Sequence, residues 1–293
     1  MIEKNIEVIS KMINENEAMK LSNEMLRKIH WNVSRQTKQH EIIVNATMFP
    51  IYEDIQEHII RKQYDFIETL EVIKSNKLSF ARYGDAEFQF MFIYEFKNAV
   101  EKSCFYFAKK LKEVLKKPVN NLLIGMPYPF RGLYYSGVYS SIWSDLKSVL
   151  LVGQHQHFGL SHVTRPIFFQ WLGSKGVELF RSIWEGLNVT IVTGKGSRFD
   201  LIPELFDNIN DSKFVYGSPI HAFDGLDNLI GDLEDDTSDL ILLSLGGAGT
   251  ILAYELTKRG KWVLDIGNIS SSYEFVFKNG LLPEKKAAIN NNK

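Results

Sequence analysis

The stretch DLILLSLGGAGTILAYEL at residues 239–256 decides the fold class. Its first part is a short apolar run without alternation, the pattern of a strand covered on both faces. The run breaks at Gly246, Gly247 and Gly249, after which Ile251, Leu252, Tyr254 and Leu256 take helical spacing. Strand, glycine turn and helix in that order make half of a βαβ unit. Glycines let the backbone approach a ligand closely, and the first N–H groups of a helix point at an anion, so phosphate is the natural guest. The spacing matches neither G-x-G-x-x-G nor the lysine-bearing phosphate loop. Tight packing of helix on sheet is the competing explanation for these glycines.

Working outward, further strand candidates lie at residues 78–83, 122–126, 149–153, 189–193, 214–216 and 262–266, with helical patterns between them. The expected fold is α/β, a Rossmann-like, mostly parallel sheet flanked by helices. Ligands of such sheets bind beyond the carboxyl ends of the strands. Residues 1–76 read as a helical N-terminal extension, with Ile6, Ile9, Met12 and Ile13 on one face and Ile55, Ile59 and Ile60 repeating later. The polar stretch 32–40 and Pro50 are expected to divide it into at least two helical pieces. The division expected is thus 1–76, a nucleotide-binding domain at 77–285, and a flexible tail at 286–293 that includes three consecutive asparagines.

Charge and cysteine usage narrow the function classes. Thirty-four Lys and Arg against 35 Asp and Glu leave a net charge of −1, so no global field favours nucleic acid, and an anionic ligand must be held locally. The single cysteine excludes an intrachain disulfide and suits a reducing, cytoplasmic setting. The first twenty residues lack the apolar core of a secretory signal. No run approaches the roughly 20 apolar residues of a membrane span, so membrane contact is expected to be peripheral at most.

Four loops carry candidate chemistry. In LSFARYGDAE (78–87), Asp85 and Glu87 follow a strand. Carboxylates at i and i+2 can point the same way in extended backbone and offer oxygen ligands to Mg²⁺ or Mn²⁺. Arg82 adds a fork suited to phosphate. In VTIVTGKGSRFD (189–200), Ser197 and Arg198 sit beside glycines after a strand and suit a diphosphate or ribose as well as a plain surface loop. Thr164 and Arg165 precede Pro166 and either clamp a phosphate or begin a helix. His155, His157 and His162 form an H-x-H-x4-H pattern, a rival zinc site. Cys104 reads as a core residue.

Taken in order, these segments resemble the GT-D-type glycosyltransferases, a family first catalogued as a domain of unknown function and found in bacterial glycoprotein and surface-glycan synthesis. The carriers are FARYGDAEF (80–88), VTRP (163–166), IWEGLNVTIVTGKGSRFD (183–200), PIHAFDGLDNLI (219–230), LILLSLGGAGTILAYEL (240–256) and DIGNISSSYEF (265–275). The resemblance implies a sugar-nucleotide donor, commonly UDP-linked, with Asp85 and Glu87 as the metal-binding pair for Mn²⁺ or Mg²⁺. Arg82, Tyr83, Thr164, Arg165, Ser197, Arg198, Gly246, Gly247, Thr250 and Asn268 would line the donor pocket. Two departures stand out. Gly246 to Gly249 replaces an expected G-P-T-A, and the terminal motif D-I-G-H-I-D-x-E-Y-E-W has become DIGNISSSYEF, placing Asn268 for histidine and Ser270 and Ser272 for acidic positions.

The implied reaction transfers a hexose to a hydroxyl of a glycan, glycoprotein or lipid-linked acceptor, at the inner membrane face if the acceptor is lipid-linked. Asp265 and Glu274, the acids retained in the terminal motif, are the candidate bases. Two rival functions are carried forward. One is a non-catalytic partner of another glycosyltransferase, motivated by the altered terminal motif and by N-terminal helices suited to homo-oligomer or complex formation. The other is a metallohydrolase using the three histidines.

Overall fold

In a computed structural model the described residues are 2–93, 96–98, 100–130 and 132–287. Residues 288–293 of the expected tail lie outside them. The chain divides into two compact units, residues 1–50 and 51–293.

The strands are β1 (Ser79–Arg82), β2 (Leu122–Met126), β3 (Gly159–Leu160), β4 (Asn188–Gly194), β5 (Asp211–Gly217), β6 (Leu240–Ser244) and β7 (Val263–Asp265). They form one sheet in the order β3-β2-β1-β7-β6-β4-β5. Every pairing is parallel; at its centre Leu242 of β6 stands opposite Ile191 of β4 and Leu264 of β7. All five residues of β6 are buried, which is why that strand reads as an unbroken apolar run. The helices are α1 (Ile2–His58), α2 (Phe66–Asn76), α3 (Asp85–Phe92), α4 (Phe105–Lys116), α5 (Gly132–Gly153), α6 (Pro166–Leu172), α7 (Ser174–Trp184), α8 (Pro203–Phe206), α9 (Leu226–Glu234), α10 (Gly247–Lys258) and α11 (Ile269–Phe277). Among the described residues no helix is long and apolar enough to cross a membrane.

Three expectations are corrected. Residues 149–153 are the last turn of α5, not a strand. Leu146, Val149 and Leu150 are at most 5% exposed while Leu151 and Val152 are 53% and 60% exposed, a helical rather than an alternating pattern. Gly159–Leu160 supplies the edge strand instead. Second, α1 is helical through residues 32–40 and through Pro50. Described side chains from 15 to 49 are all exposed, so the carbonyl that a proline leaves without an N–H partner has access to water. The side chains of Ile6, Ile9, Met12, Ile13 and Pro50 lie outside the described set. Third, Cys104 is exposed: it caps α4, its Sγ accepting the Phe107 N–H, while the buried face of α4 is Phe107, Leu111, Val114 and Leu115.

The division into compact units falls after Pro50, and α2 packs on the sheet's core. A reciprocal cap starts it: Asp65 accepts from the N–H groups of Ile67 and Glu68, and Glu68 accepts from that of Asp65. Leu70 and Ile73 then pack with Phe80 and Leu123. On the same core, stacked rings run from Phe180 through Trp184 to Phe206.

At the amino end of the sheet a buried carboxylate ties three segments together. Asp236 Oδ2 accepts from Thr190 Oγ1 of β4 at 2.8 Å and Lys213 Nζ of β5 at 2.9 Å, and Oδ1 accepts from the Ser238 N–H at 2.8 Å. Burial raises its pKa, but the Ser238, Lys213 and Thr190 hydrogen bonds outweigh that and carry it from 3.8 down to about 2. A carboxyl held below its unfolded value contributes stability that is complete above about pH 4 and is lost as pH falls toward 2. Asp236→Ala is expected to lower unfolding stability at pH 7 by about 3 kcal/mol and to flatten this acid limb, as read by urea titration at stepped pH. Coincident unfolding curves for the variant and the parent would refute this assignment.

Candidate active site

The carboxyl ends of β1, β7, β6 and β4 open into one cavity of about 850 Å³, whose walls include Arg82, Asp265, Ser244 and Gly194. Its floor is a buried ion pair. Arg82 donates from Nε to the Asp265 carbonyl at 2.8 Å, from Nη2 to Asp265 Oδ1 at 2.9 Å and from Nη1 to Thr164 Oγ1 at 2.8 Å. Thr250 Oγ1 donates to the Arg82 carbonyl at 2.7 Å, fastening α10 to β1. Burial raises the pKa of Asp265 even though Arg82 draws it down. Gly267 also gives its N–H to Asp265 Oδ1, at 3.0 Å. Its φ is +47°, and a Cβ there would lie 2.1 Å from Arg82 Nη2, so only glycine fits beneath the guanidinium.

Asp85 and Glu87 both line the cavity, but they occupy the first turn of α3, not extended backbone, and so diverge. Asp85 Oδ2 accepts from Tyr134 Oη at 2.6 Å. Burial first, then this bond, pushes the Tyr134 hydroxyl up to about 12. Glu87 folds back so that Oε2 accepts the Gly84 N–H at 2.8 Å. Burial, reinforced by the Asp265 charge and only partly offset by backbone N–H groups and Arg82, raises its carboxyl to about 7. The acidic turn and the glycine turn meet: a Cβ added at Gly247 would lie 3.3 Å from Glu87 Oε1.

Other expected site residues divide in two. Arg165, Ser197, Arg198, Gly246, Gly247 and Asn268 line the cavity. Thr164 and Thr250 are buried behind its wall and serve Arg82. Tyr83 reaches the wall, yet its hydroxyl is buried and donates to the Leu111 carbonyl at 2.7 Å. Glu274 is not among the lining residues and pairs with Lys286. The three histidines separate: His155 Nε2 meets the Leu115 carbonyl at 2.7 Å, His157 stacks on Tyr64, and buried His162 accepts the Tyr128 N–H at Nδ1. Among the described residues no three His, Cys, Asp or Glu side chains gather to hold a metal, which removes the histidine cluster as a site.

Three lining acids or hydroxyls carried no sequence signal of their own. Glu101 is buried, with Oε1 3.3 Å from His221 Nδ1 and Oε2 accepting the Phe223 N–H. Tyr134 lies in α5 after an aromatic and proline-rich turn. Glu284 pairs with Arg165, while the carbonyls of Pro283 and Ala287 accept from Arg198 at 3.3 and 3.1 Å. Residues 283–287 therefore strap two cavity arginines.

Asp85 and Glu87 are the oxygen ligands of the kind a hard divalent cation takes, and among the described residues no third His, Cys, Asp or Glu gathers with them. Five carboxylates line the cavity (Asp85, Glu87, Glu101, Asp265 and Glu284) against three arginines and no lysine. A divalent cation needs only one or two protein carboxylates when phosphate and water complete its shell.

Comparison with known proteins agrees with this architecture. A solved structure described as "The highly conserved domain of unknown function 1792 has a distinct glycosyltransferase fold" superposes with a TM-score of 0.68 at 23% identity, covering 82% of this chain and 87% of that one. "A New Glycosyltransferase (DUF1792) from Streptococcus sanguinis" gives 0.63 at 21% identity, covering 75% and 85%. Among curated proteins, "Glycosyltransferase GlyD" of Streptococcus pneumoniae is 36% identical over 100 residues, 34% of this chain and 12% of that protein. "Probable glycosyl transferase Gly" of Streptococcus gordonii is 26% identical over 177 residues, 57% of this chain and 26% of that protein. The chain thus spans a small part of the length of these curated relatives. The family described as "Glycosyltransferase GT-D fold" matches residues 80–293, well over half of the sequence, and the chain belongs to that family.

Proposed function

We propose that the cavity binds a nucleoside diphosphate sugar, UDP-linked by the family resemblance, and transfers its hexose to a hydroxyl of a glycan, glycoprotein or lipid-linked acceptor. The observation that carries this reading is the contact between the acidic first turn of α3 and the glycine turn before α10. Gly246 adopts a φ of +58°, and no side chain caps the helix it precedes, so the N-terminus of α10 faces the cavity as a site for phosphate oxygens.

Asp85 and Glu87 would hold Mg²⁺ or Mn²⁺, which when bound supplies positive charge against the departing diphosphate. Glu87, with its carboxyl near 7, releases a proton as it takes up that role. Arg82 is spent on Asp265 and Thr164, so the pair braces the floor, and Asp265 orients Arg82 rather than serving as a free base. Arg165 and Arg198 are the cations placed to reach the donor, and residues 283–287 compete with it for them.

With Mn²⁺ present, UDP-glucose at a hundredfold excess over its Kd should add about 2.7 kcal/mol, several degrees in the melting temperature. EDTA or Asp85→Asn should remove that shift and leave the unliganded melting temperature unchanged. An equal shift without metal, or in Asp85→Asn, would eliminate the assignment. Calorimetry with turnover assays separates an enzyme from a donor-binding partner: tight donor binding with no transfer or hydrolysis would select the latter. Glu284→Gln should tighten UDP binding by about threefold, the scale of a rim ion pair. An unchanged or weaker Kd would show that Arg165 does not meet the donor.

A further inference from the structure

The outward face of α4 is basic and aromatic together. Phe107, Leu111, Val114 and Leu115 form the buried side of the helix. Opposite them Phe105, Lys109, Lys112 and Lys116 recur at steps of 4, 3 and 4, which makes one outward stripe, and Tyr106 stands beside its start. Phe105 and Tyr106 are 80% and 65% exposed. Lys109 Nζ lies 5.9 Å from the centre of the Tyr106 ring, and Lys112 Nζ lies 4.8 Å from that of Phe92. The turn leading into the helix adds exposed Lys97 and Lys102, which stand opposite each other in an antiparallel bridge. Residues 97–117 hold seven lysines against Glu101 and Glu113. Glu101 is buried, Glu113 pairs with Lys117 at 2.8 Å, and Glu255 of the adjoining α10 is shared among Lys110, Lys258 and Arg259. Of the lysines in this stretch, Lys110 and Lys117 pair with an acid among the described residues, and Lys97, Lys102, Lys109, Lys112 and Lys116 do not.

Charge and exposed rings together identify the partner. A basic amphipathic helix suits an anionic surface, and aromatic rings at its end suit the layer between lipid headgroups and acyl chains, where one side is apolar and the other wet. Exposed rings elsewhere lack this charge: α6, which carries Trp171 at 75% exposure, has no charged residue, and Lys213 beside Phe214 and Tyr216 is bound to Asp236. We propose that this face of α4, with Lys97 and Lys102, binds an anionic lipid surface, Phe105 and Tyr106 entering the headgroup layer and the lysines lying over lipid phosphates. The same segment builds the cavity wall. Asn98, Val100 and Glu101 line it, and Phe107, on the inner side of the first turn of α4, lies 3.0 Å from the position of a Cβ at Gly247. A lipid surface held there adjoins the cavity and selects the lipid-linked class of acceptor, a step that rests on the cavity being the donor site.

Sedimentation with vesicles of equal parts phosphatidylglycerol and phosphatidylcholine should carry the full chain down, and vesicles of phosphatidylcholine alone should not. Each lysine near such a surface is worth about fivefold in affinity, so Lys109→Gln, Lys112→Gln and Lys116→Gln together should weaken binding about a hundredfold. Phe105→Ser with Tyr106→Ser, which leaves the charge unchanged, should weaken it about tenfold. These side chains lie on the outward face, so both variants should keep the parent's melting temperature and whatever shift UDP-glucose and Mn²⁺ give the parent. Vesicle binding by a parent that shows no donor shift would fail the donor reading and still support this surface. A parent left in solution by the anionic vesicles, or a lysine variant bound as tightly as the parent, would overturn the proposal. Binding that survives loss of the two rings undiminished would mark the face as a dock for a soluble acidic partner and would overturn it as well.

Discussion

The pairing of Arg82 with Asp265 is the constraint on which the cavity rests. It joins the carboxyl ends of β1 and β7, neighbours at the centre of the sheet, and each remaining bond of the two groups recruits another element: Thr164 from the turn before α6, Thr250 from α10, and the N–H of Gly267 before α11. A charge pair removed from water survives only when its other polar atoms are also satisfied, and here all three guanidinium nitrogens of Arg82 and the Oδ1 of Asp265 have partners. The price is conformational, since position 267 must be glycine. Arg82 is thereby a fixed post.

That pairing leaves the cavity acidic. With Arg82 neutralised by Asp265 and Arg165 by Glu284, the unbalanced charges are those of Asp85, Glu87 and Glu101 set against Arg198. The raised carboxyl of Glu87 reports the same imbalance from within, since the charge of Asp265 is one of its causes.

Five of the seven strands were legible as apolar runs because they are largely buried, a sixth, the edge strand β5, by its aromatic and β-branched residues although Phe214 and Tyr216 are exposed, and the carboxyl-end rule then led to Arg82, Asp85 and Gly246. Where reading failed, the reason was local. Residues 149–153 carry consecutive apolar residues on the inner and outer sides of α5, so composition concealed the helical period. Cys104 precedes an apolar segment whose first two aromatics, Phe105 and Tyr106, face solvent. Glu101, Tyr134 and Glu284 enter the cavity from segments distant in sequence, and no spacing rule connects them to the acidic turn. Asp85 and Glu87 were found by type and misplaced in geometry, because the strand ends at Arg82 and the turn after it begins a helix.

The same geometry sorts the departures from the family's motifs. Ser270 is buried with its Oγ on the Asp200 carbonyl, and Ser272 is fully buried in α11, so carboxylates at these positions would be desolvated there instead of facing a ligand. Of the positions changed in the terminal motif, Asn268 and Phe275, which stands for the motif's Trp, reach the cavity. An amide donates and accepts hydrogen bonds without titrating, so this chain keeps a polar contact at that wall and gives up an imidazole's ability to carry a proton or a positive charge. The glycine turn departs in a compatible direction. A side chain at Gly247 would meet Phe107 at 3.0 Å and Glu87 at 3.3 Å, so either neighbour would have to give by a few tenths of an ångström to admit it. Both changes leave the contact between the two turns intact and alter the polar groups of the cavity wall.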